Sequence, residues 1–114
     1  SRARLIFQIE HFRAVDQIGD TLTPGSTALI GLYDLSASLG IPGDIGNSTV
    51  IEFADRVIKH CKAHHVNVGV FTDTPEGIEF WRRKGVDFIE YGSDLQLLMN
   101  AARDLKQWVD HEIT

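Results

Sequence analysis

The stretch Thr27-Ala28-Leu29-Ile30-Gly31-Leu32, TALIGL, is an apolar run of strand length, set between Pro24-Gly25 and Tyr33-Asp34. Successive side chains of a strand point to opposite faces, so a run without polar alternation reads as a strand of a parallel sheet covered by helices. Working upstream, Leu5-Ile6-Phe7-Gln8-Ile9-Glu10 is a second strand with two unlike faces. Leu5, Phe7 and Ile9 share one face and bury easily. Ile6, Gln8 and Glu10 share the other, which needs polar partners, a watered cavity or a bound ion.

Between these strands Phe12, Val15, Ile18 and Leu22 recur at helical spacing, which predicts one amphipathic helix from Phe12 to Leu22, stopped by Thr23-Pro24-Gly25. Downstream, the Pro/Gly-containing segment from Ile41 to Asn47 is the longest irregular stretch. A helix then runs from Ser48 to about His64, with Val50, Phe53, Ala54, Val57, Ile58 and Cys61 on its buried face. Val66 to Phe71 is the third strand. Thr74-Pro75-Glu76 supplies an N-cap, a first-turn proline and an acid, opening a helix through Ile78, Phe80 and Trp81 that ends at Gly85. Val86 to Tyr91 is the fourth strand. Ser93-Asp94-Leu95-Gln96 reads as a capping box for a last helix carrying Leu97, Leu98, Ala101, Leu105 and Trp108. The fold class is α/β: four βα units with a parallel sheet, read as a single domain over residues 1–114.

Composition narrows the function. The chain is 43% hydrophobic and 24% charged, which suits a globular domain. A net charge of −5 with scattered basic residues argues for no nucleic acid partner. There is no apolar run of membrane-spanning length and no leader pattern, so no membrane association is expected. One cysteine, Cys61, rules out an internal disulfide and fits a reducing, cytoplasmic setting. Asn47-Ser48-Thr49 matches a glycosylation sequon but reads as helix capping.

In parallel α/β folds ligands gather at the carboxyl ends of the strands. Glu10, Asp34, Asp73 and Ser93-Asp94 fall there. Two carboxylates at the ends of consecutive strands suit a hard cation such as Mg²⁺ or Mn²⁺, which accepts one or two carboxylates and completes its shell with water and substrate. Without His or Cys beside them they make a poor zinc site. The plainer account is that Glu10 caps the next helix and Asp34 caps a turn. His11 adjoins the Glu10 strand, while His60, His64 and His65 cluster where cations favour a helix end. Asp73 reads as part of the helix entry, Cys61 as core, Trp81 and Trp108 as packing or interface, and Arg82-Arg83-Lys84 as a solvated last turn.

Taken together, Phe7-Gln8-Ile9-Glu10 with Ala14-Val15-Asp16, then Gly31-Leu32-Tyr33-Asp34-Leu35-Ser36-Ala37-Ser38-Leu39-Gly40, and Asp87-Phe88-Ile89-Glu90-Tyr91-Gly92-Ser93-Asp94-Leu95 resemble the HpcH/HpaI aldolase/citrate lyase family of class II 2-oxo acid aldolases. The resemblance implies that the four units correspond to the second half of a (β/α)8 TIM barrel. It implies Glu10 and Asp34 as metal ligands for a divalent metal (Mg²⁺, Mn²⁺ or Co²⁺). Gln8 is implied at the substrate's oxo-acid end, in a catalytic and binding role, and the backbone N–H groups of Tyr33 and Asp34 at the pyruvate carboxylate. The implied reaction is reversible aldol cleavage of a 4-hydroxy-2-oxo acid to pyruvate and an aldehyde through a metal-stabilised enolate. The chain departs from the family pattern at Leu32, Tyr33, Glu90 and Tyr91, and the family's first four strands, with an arginine and a histidine used in catalysis, are not in it. Two readings follow: a lyase half completed by the other half-barrel, or a non-catalytic module that closes on a second copy or opens into a flavodoxin-like sheet. Both predict association, as a homo-oligomer or with a complementary half-barrel, because a four-stranded parallel sheet has open edges.

Overall fold

The computed structural model describes residues 6–92 and 94–112, without the side chains of 20, 21 and 94–97. Strands β1 (Ile6–Ile9), β2 (Thr27–Ile30), β3 (Asn67–Thr72) and β4 (Phe88–Tyr91) form one parallel sheet in the order β1-β2-β3-β4. The helices are α1 (Phe12–Asp16), α2 (Ile18–Thr21), α3 (Leu32–Ser38), α4 (Ser48–Ala63), α5 (Pro75–Arg83) and α6 (Asp94–Glu112). Their chemistry is local. Asn47 Oδ1 accepts the Thr49 N–H at 2.9 Å and starts α4, so the sequon asparagine is a cap. Thr74 caps α5 by accepting the Gly77 N–H, with Pro75 at the first turn.

Register decides what faces the site. Ile9, Ile30, Val70 and Ile89 align across the sheet on one face, and Ile30 and Val70 are fully buried there, with Val50, Val57 and Cys61 of α4 also inside. Each fully buried Ile or Val contributes roughly 1.5–3 kcal/mol of hydrophobic stabilisation. Gln8, Leu29, Gly69 and Phe88 align on the other face. That face is open: Gln8 and Glu90 are exposed, Leu29, Phe71 and Phe88 only half-buried, and Ile6 is 57% exposed. Consecutive strands are nearest neighbours throughout, so successive crossovers of one hand lay their helices on one face. A flavodoxin-like sheet needs a reversal of strand order, which these four strands do not have. The cover expected on both faces of TALIGL is therefore present on one.

Three other expectations change. The helix expected from Phe12 to Leu22 is broken at Gln17 (φ −105°, ψ 7°), whose N–H turns back to the Ala14 carbonyl. Val15, Ile18 and Leu22 are nevertheless all buried. The TALIGL strand ends at Ile30, and Leu32 already belongs to α3. In α6, Leu98, Leu105 and Trp108 are 68%, 62% and 57% exposed, so the stripe expected to pack is uncovered among the described residues. Ser93 of the expected capping box and the Leu97 side chain lie outside the described residues. No helix among those described is long and apolar enough to cross a membrane.

Candidate functional site

The rim of the sheet is built around Gly31. Its N–H donates to the Ile9 carbonyl at 3.0 Å, which fastens the end of β2 beside the end of β1. A Cβ placed on Gly31 would lie 3.4 Å from Glu10 Cγ and 3.7 Å from Asp34 Oδ2. The Glu10 and Asp34 side chains thus both lie beside one glycine, within ordinary contact distance of where its Cβ would be. Neither caps a helix. His11 Nδ1 accepts the Arg13 N–H at 3.1 Å and caps α1, whereas Gly31 is the N-cap of α3 and has no side chain to do so. The first-turn N–H groups of α3, those of Tyr33 and Asp34 among them, therefore lack a side-chain cap and point toward the rim with the positive end of the helix.

Gln8 joins them on the open face. It lines a cleft of about 280 Å³ with Leu29, Gly31, Leu32, Tyr33, Asp34, Phe71 and Glu90. Glu10, Gln8 and Asp34 offer oxygen atoms in a solvent-reached setting. Among the described residues no three His, Cys, Asp or Glu side chains form a metal-holding group. A Mg²⁺-like ion, which takes one or two carboxylates and keeps several waters, fits this donor set.

The Leu-Ser-x-Ser-Leu-Gly stretch proves to be the frame of the rim. Ser36, fully buried, donates to the Tyr33 carbonyl at 2.7 Å and accepts the Gly43 N–H at 3.1 Å, anchoring the loop before α4. Ser38 donates to the Leu35 carbonyl at 2.7 Å and accepts the Phe12 N–H at 3.1 Å. It ties the turn after Glu10 to the helix that carries Asp34. Gly40, at φ +80°, closes α3 in a conformation that favours glycine. A further link was not legible from spacing: Tyr33 Oη donates to Asp73 Oδ2 at 2.9 Å, and its ring stands edge-on to Phe71 at 6.4 Å. That hydrogen bond, followed by burial, raises the Tyr33 pKa above its usual value, so the phenol stays protonated.

The remaining candidates take structural places. Cys61 is buried, and burial pushes its thiol up to about 11, so it is no thiolate nucleophile near neutrality. The His60 and His64 rings lie 4.3 Å apart, tilted by 35°, at the end of α4, and His65 follows at φ 58°. Glu79 draws in both Arg82 and Arg83, which stay solvated as expected, and Lys84 reaches Asp55 at 3.0 Å. Trp81 is core, Trp108 exposed.

Comparison with known proteins agrees with this layout. The sequence pattern of the HpcH/HpaI aldolase/citrate lyase family matches residues 1–101. A 2-dehydro-3,6-dideoxy-6-sulfogluconate aldolase of Pseudomonas putida is 29% identical over 102 residues, 88% of this chain and 40% of that protein. The crystal structure of an HpcH/HpaI aldolase/citrate lyase family protein from Burkholderia cenocepacia superposes with a TM-score of 0.83 at 31% identity, over 95% of this chain and 43% of the other. The HpcH/HpaI aldolase of Desulfitobacterium hafniense shares the fold at a TM-score of 0.79 and 24% identity, over 93% of this chain and 42% of its own. The chain spans about two-fifths of the length of these relatives, and its one-sided sheet is part of their barrel-type architecture. By its sequence along nearly its whole length and by its fold, the chain belongs to the HpcH/HpaI aldolase/citrate lyase family.

Proposed function

We propose that residues 1–114 form a half-barrel of a divalent-metal-dependent lyase that reversibly cleaves a 4-hydroxy-2-oxo acid into pyruvate and an aldehyde. The observation that carries this reading is the placing of both Glu10 and Asp34 beside Gly31, at the carboxyl-end rim of a sheet whose facing side is bare. Glu10 and Asp34 would hold Mg²⁺, Mn²⁺ or Co²⁺. The ion supplies Lewis-acid polarisation of the substrate's oxo group when bound. Gln8, on the same face as Glu10, donates its amide N–H to the oxo-acid end. The uncapped N–H groups of Tyr33 and Asp34 take the carboxylate, a use of helix-terminal donors that needs no cation.

The described lining of the cleft contains no His, Lys or Arg, and His11 is spent as a cap. Proton transfer to the aldehyde oxygen therefore falls to residues beyond this half. The bare sheet face, with Ile6 and Leu29, and the uncovered Leu98, Leu105 and Trp108 of α6 support association with a complementary half-barrel or a second copy. The test is Mn²⁺-dependent exchange of pyruvate methyl protons with D₂O, followed by NMR, together with pyruvate release from 4-hydroxy-2-oxo acids. It is made in a polypeptide that supplies the other four βα units. A folded, Mn²⁺-loaded protein that does neither refutes the reading.

A further inference from the structure

Strand β3 buries Val68 and Val70 completely under the helices, and at its carboxyl end the same face carries Thr72, which is 3% exposed. Its hydroxyl takes no hydrogen bond from any described residue, and it is not sealed in, for it opens onto a cavity of about 380 Å³ on the helix side of the sheet. Nearly every buried hydroxyl in a folded protein has a partner, so one that faces a cavity offers its donor and lone pairs to what enters. Ile45 and Ile51 line the cavity from the α4 side, and Phe80 and Trp81 line it from α5, their rings 5.0 Å apart and nearly perpendicular. Gly77 leaves the hydroxyl uncovered, because a Cβ there would collide with Thr72 Oγ1. The size falls in the range of small-molecule sites, about 300–1,000 Å³. This cavity is separate from the rim cleft, with which it shares Leu32 alone. Strand β3 lies between β2 and β4, so a half-barrel that joins at the β1 and β4 edges completes the sheet away from it.

We propose that the cavity between α4 and α5 is a ligand site for a small neutral aromatic molecule that bears one hydroxyl group, a molecule of the phenol class. Its ring lies among the isoleucines and the Phe80–Trp81 pair, and its hydroxyl meets Thr72. The aromatic pair presents both an edge and a face, which suits a flat ring better than a branched chain. The polar group at the buried end is a hydroxyl, which satisfies another hydroxyl but cannot pair a buried charge. The charged groups nearby do not select an ionic ligand: Glu76 is exposed to water, and Lys84, 5.4 Å over the Phe80 ring, is paired with Asp55. This site does not depend on the lyase reading.

The experiment uses the polypeptide with all eight βα units and titrates it with phenol and with toluene, followed by saturation-transfer NMR. Saturable phenol binding is expected in the wild type. Thr72→Val keeps the shape of the side chain and removes the hydroxyl; it is expected to weaken phenol about fivefold while toluene holds or tightens. Ile51→Phe fills the cavity from the α4 side and is expected to abolish binding of both. Thermal melting checks that each variant is folded, and Thr72→Val is expected to melt no lower than the wild type, since its hydroxyl has no protein partner to lose. Absence of saturable phenol binding in the wild type, as when a neighbouring subunit fills the cavity, overturns the inference. So does a phenol affinity that stays within about twofold of wild type in either folded variant, or an equal weakening of phenol and toluene by Thr72→Val.

Discussion

Replacing Glu10 by Gln removes one of the two carboxylates whose side chains flank Gly31 while keeping the side chain's length and one oxygen. Both Glu10 and Asp34 are exposed, so the water-like limit of the dielectric applies to the loss. A unit charge at about 2.1 Å from a divalent ion contributes roughly 4 kcal/mol in that limit, or about three powers of ten in affinity. The amide oxygen that remains still ligates weakly, so the expected loss of Mn²⁺ affinity is about 100- to 1000-fold. Titration calorimetry of Mn²⁺ with and without saturating pyruvate reads it directly. Pyruvate is expected to tighten Mn²⁺ in the wild type, and that tightening is expected to vanish in Glu10→Gln. Thermal unfolding of the metal-free proteins provides the control, since an exposed rim side chain bears little on the core. An affinity within threefold of wild type in a variant that melts normally would refute the two-carboxylate site.

Three further outcomes follow from the same geometry. Gly31→Ala places a methyl group against Glu10 Cγ at an ordinary backbone conformation, so Mn²⁺ affinity is expected to fall about tenfold with a stability change under about 1 kcal/mol, measured by calorimetry and melting. Ser38→Ala strands the half-buried Phe12 N–H and unties the Glu10 turn from α3; the cost is roughly 1–3 kcal/mol, seen as a drop in Tm of about 5 °C or more. Because burial raises the folded-state pKa of Cys61 to about 11, the unfolded chain loses that proton first, from about pH 9 upward. Stability from this group is complete below about pH 9 and declines toward pH 11, and a Cys61→Ala variant is expected to lack that decline in denaturant titrations.

The order of strands and helices, the caps at Asn47 and Thr74, and the placing of Glu10 and Asp34 at strand ends are all local in the chain. Side-chain period and turn chemistry act over a few residues, so the sequence by itself determines them. The family resemblance, carried by the Gly31–Gly40 stretch, was legible for the same reason. The tertiary structure decided the rest. Leu29 is as apolar as Ile30, and no sequence period says that one faces a bare side and the other a helix layer; the parallel register and unreversed strand order do. The helix from Phe12 breaks at Gln17, where the N–H turns back to the Ala14 carbonyl, although Val15, Ile18 and Leu22 keep the spacing of one continuous helix and are buried. Ser38 meets Phe12, and Tyr33 meets Asp73, only because parallel crossovers bring residues 26 and 40 positions apart onto one rim. Which side chains share a strand end is written in the sequence, but which of them touch depends on how far apart the folded sheet sets those ends.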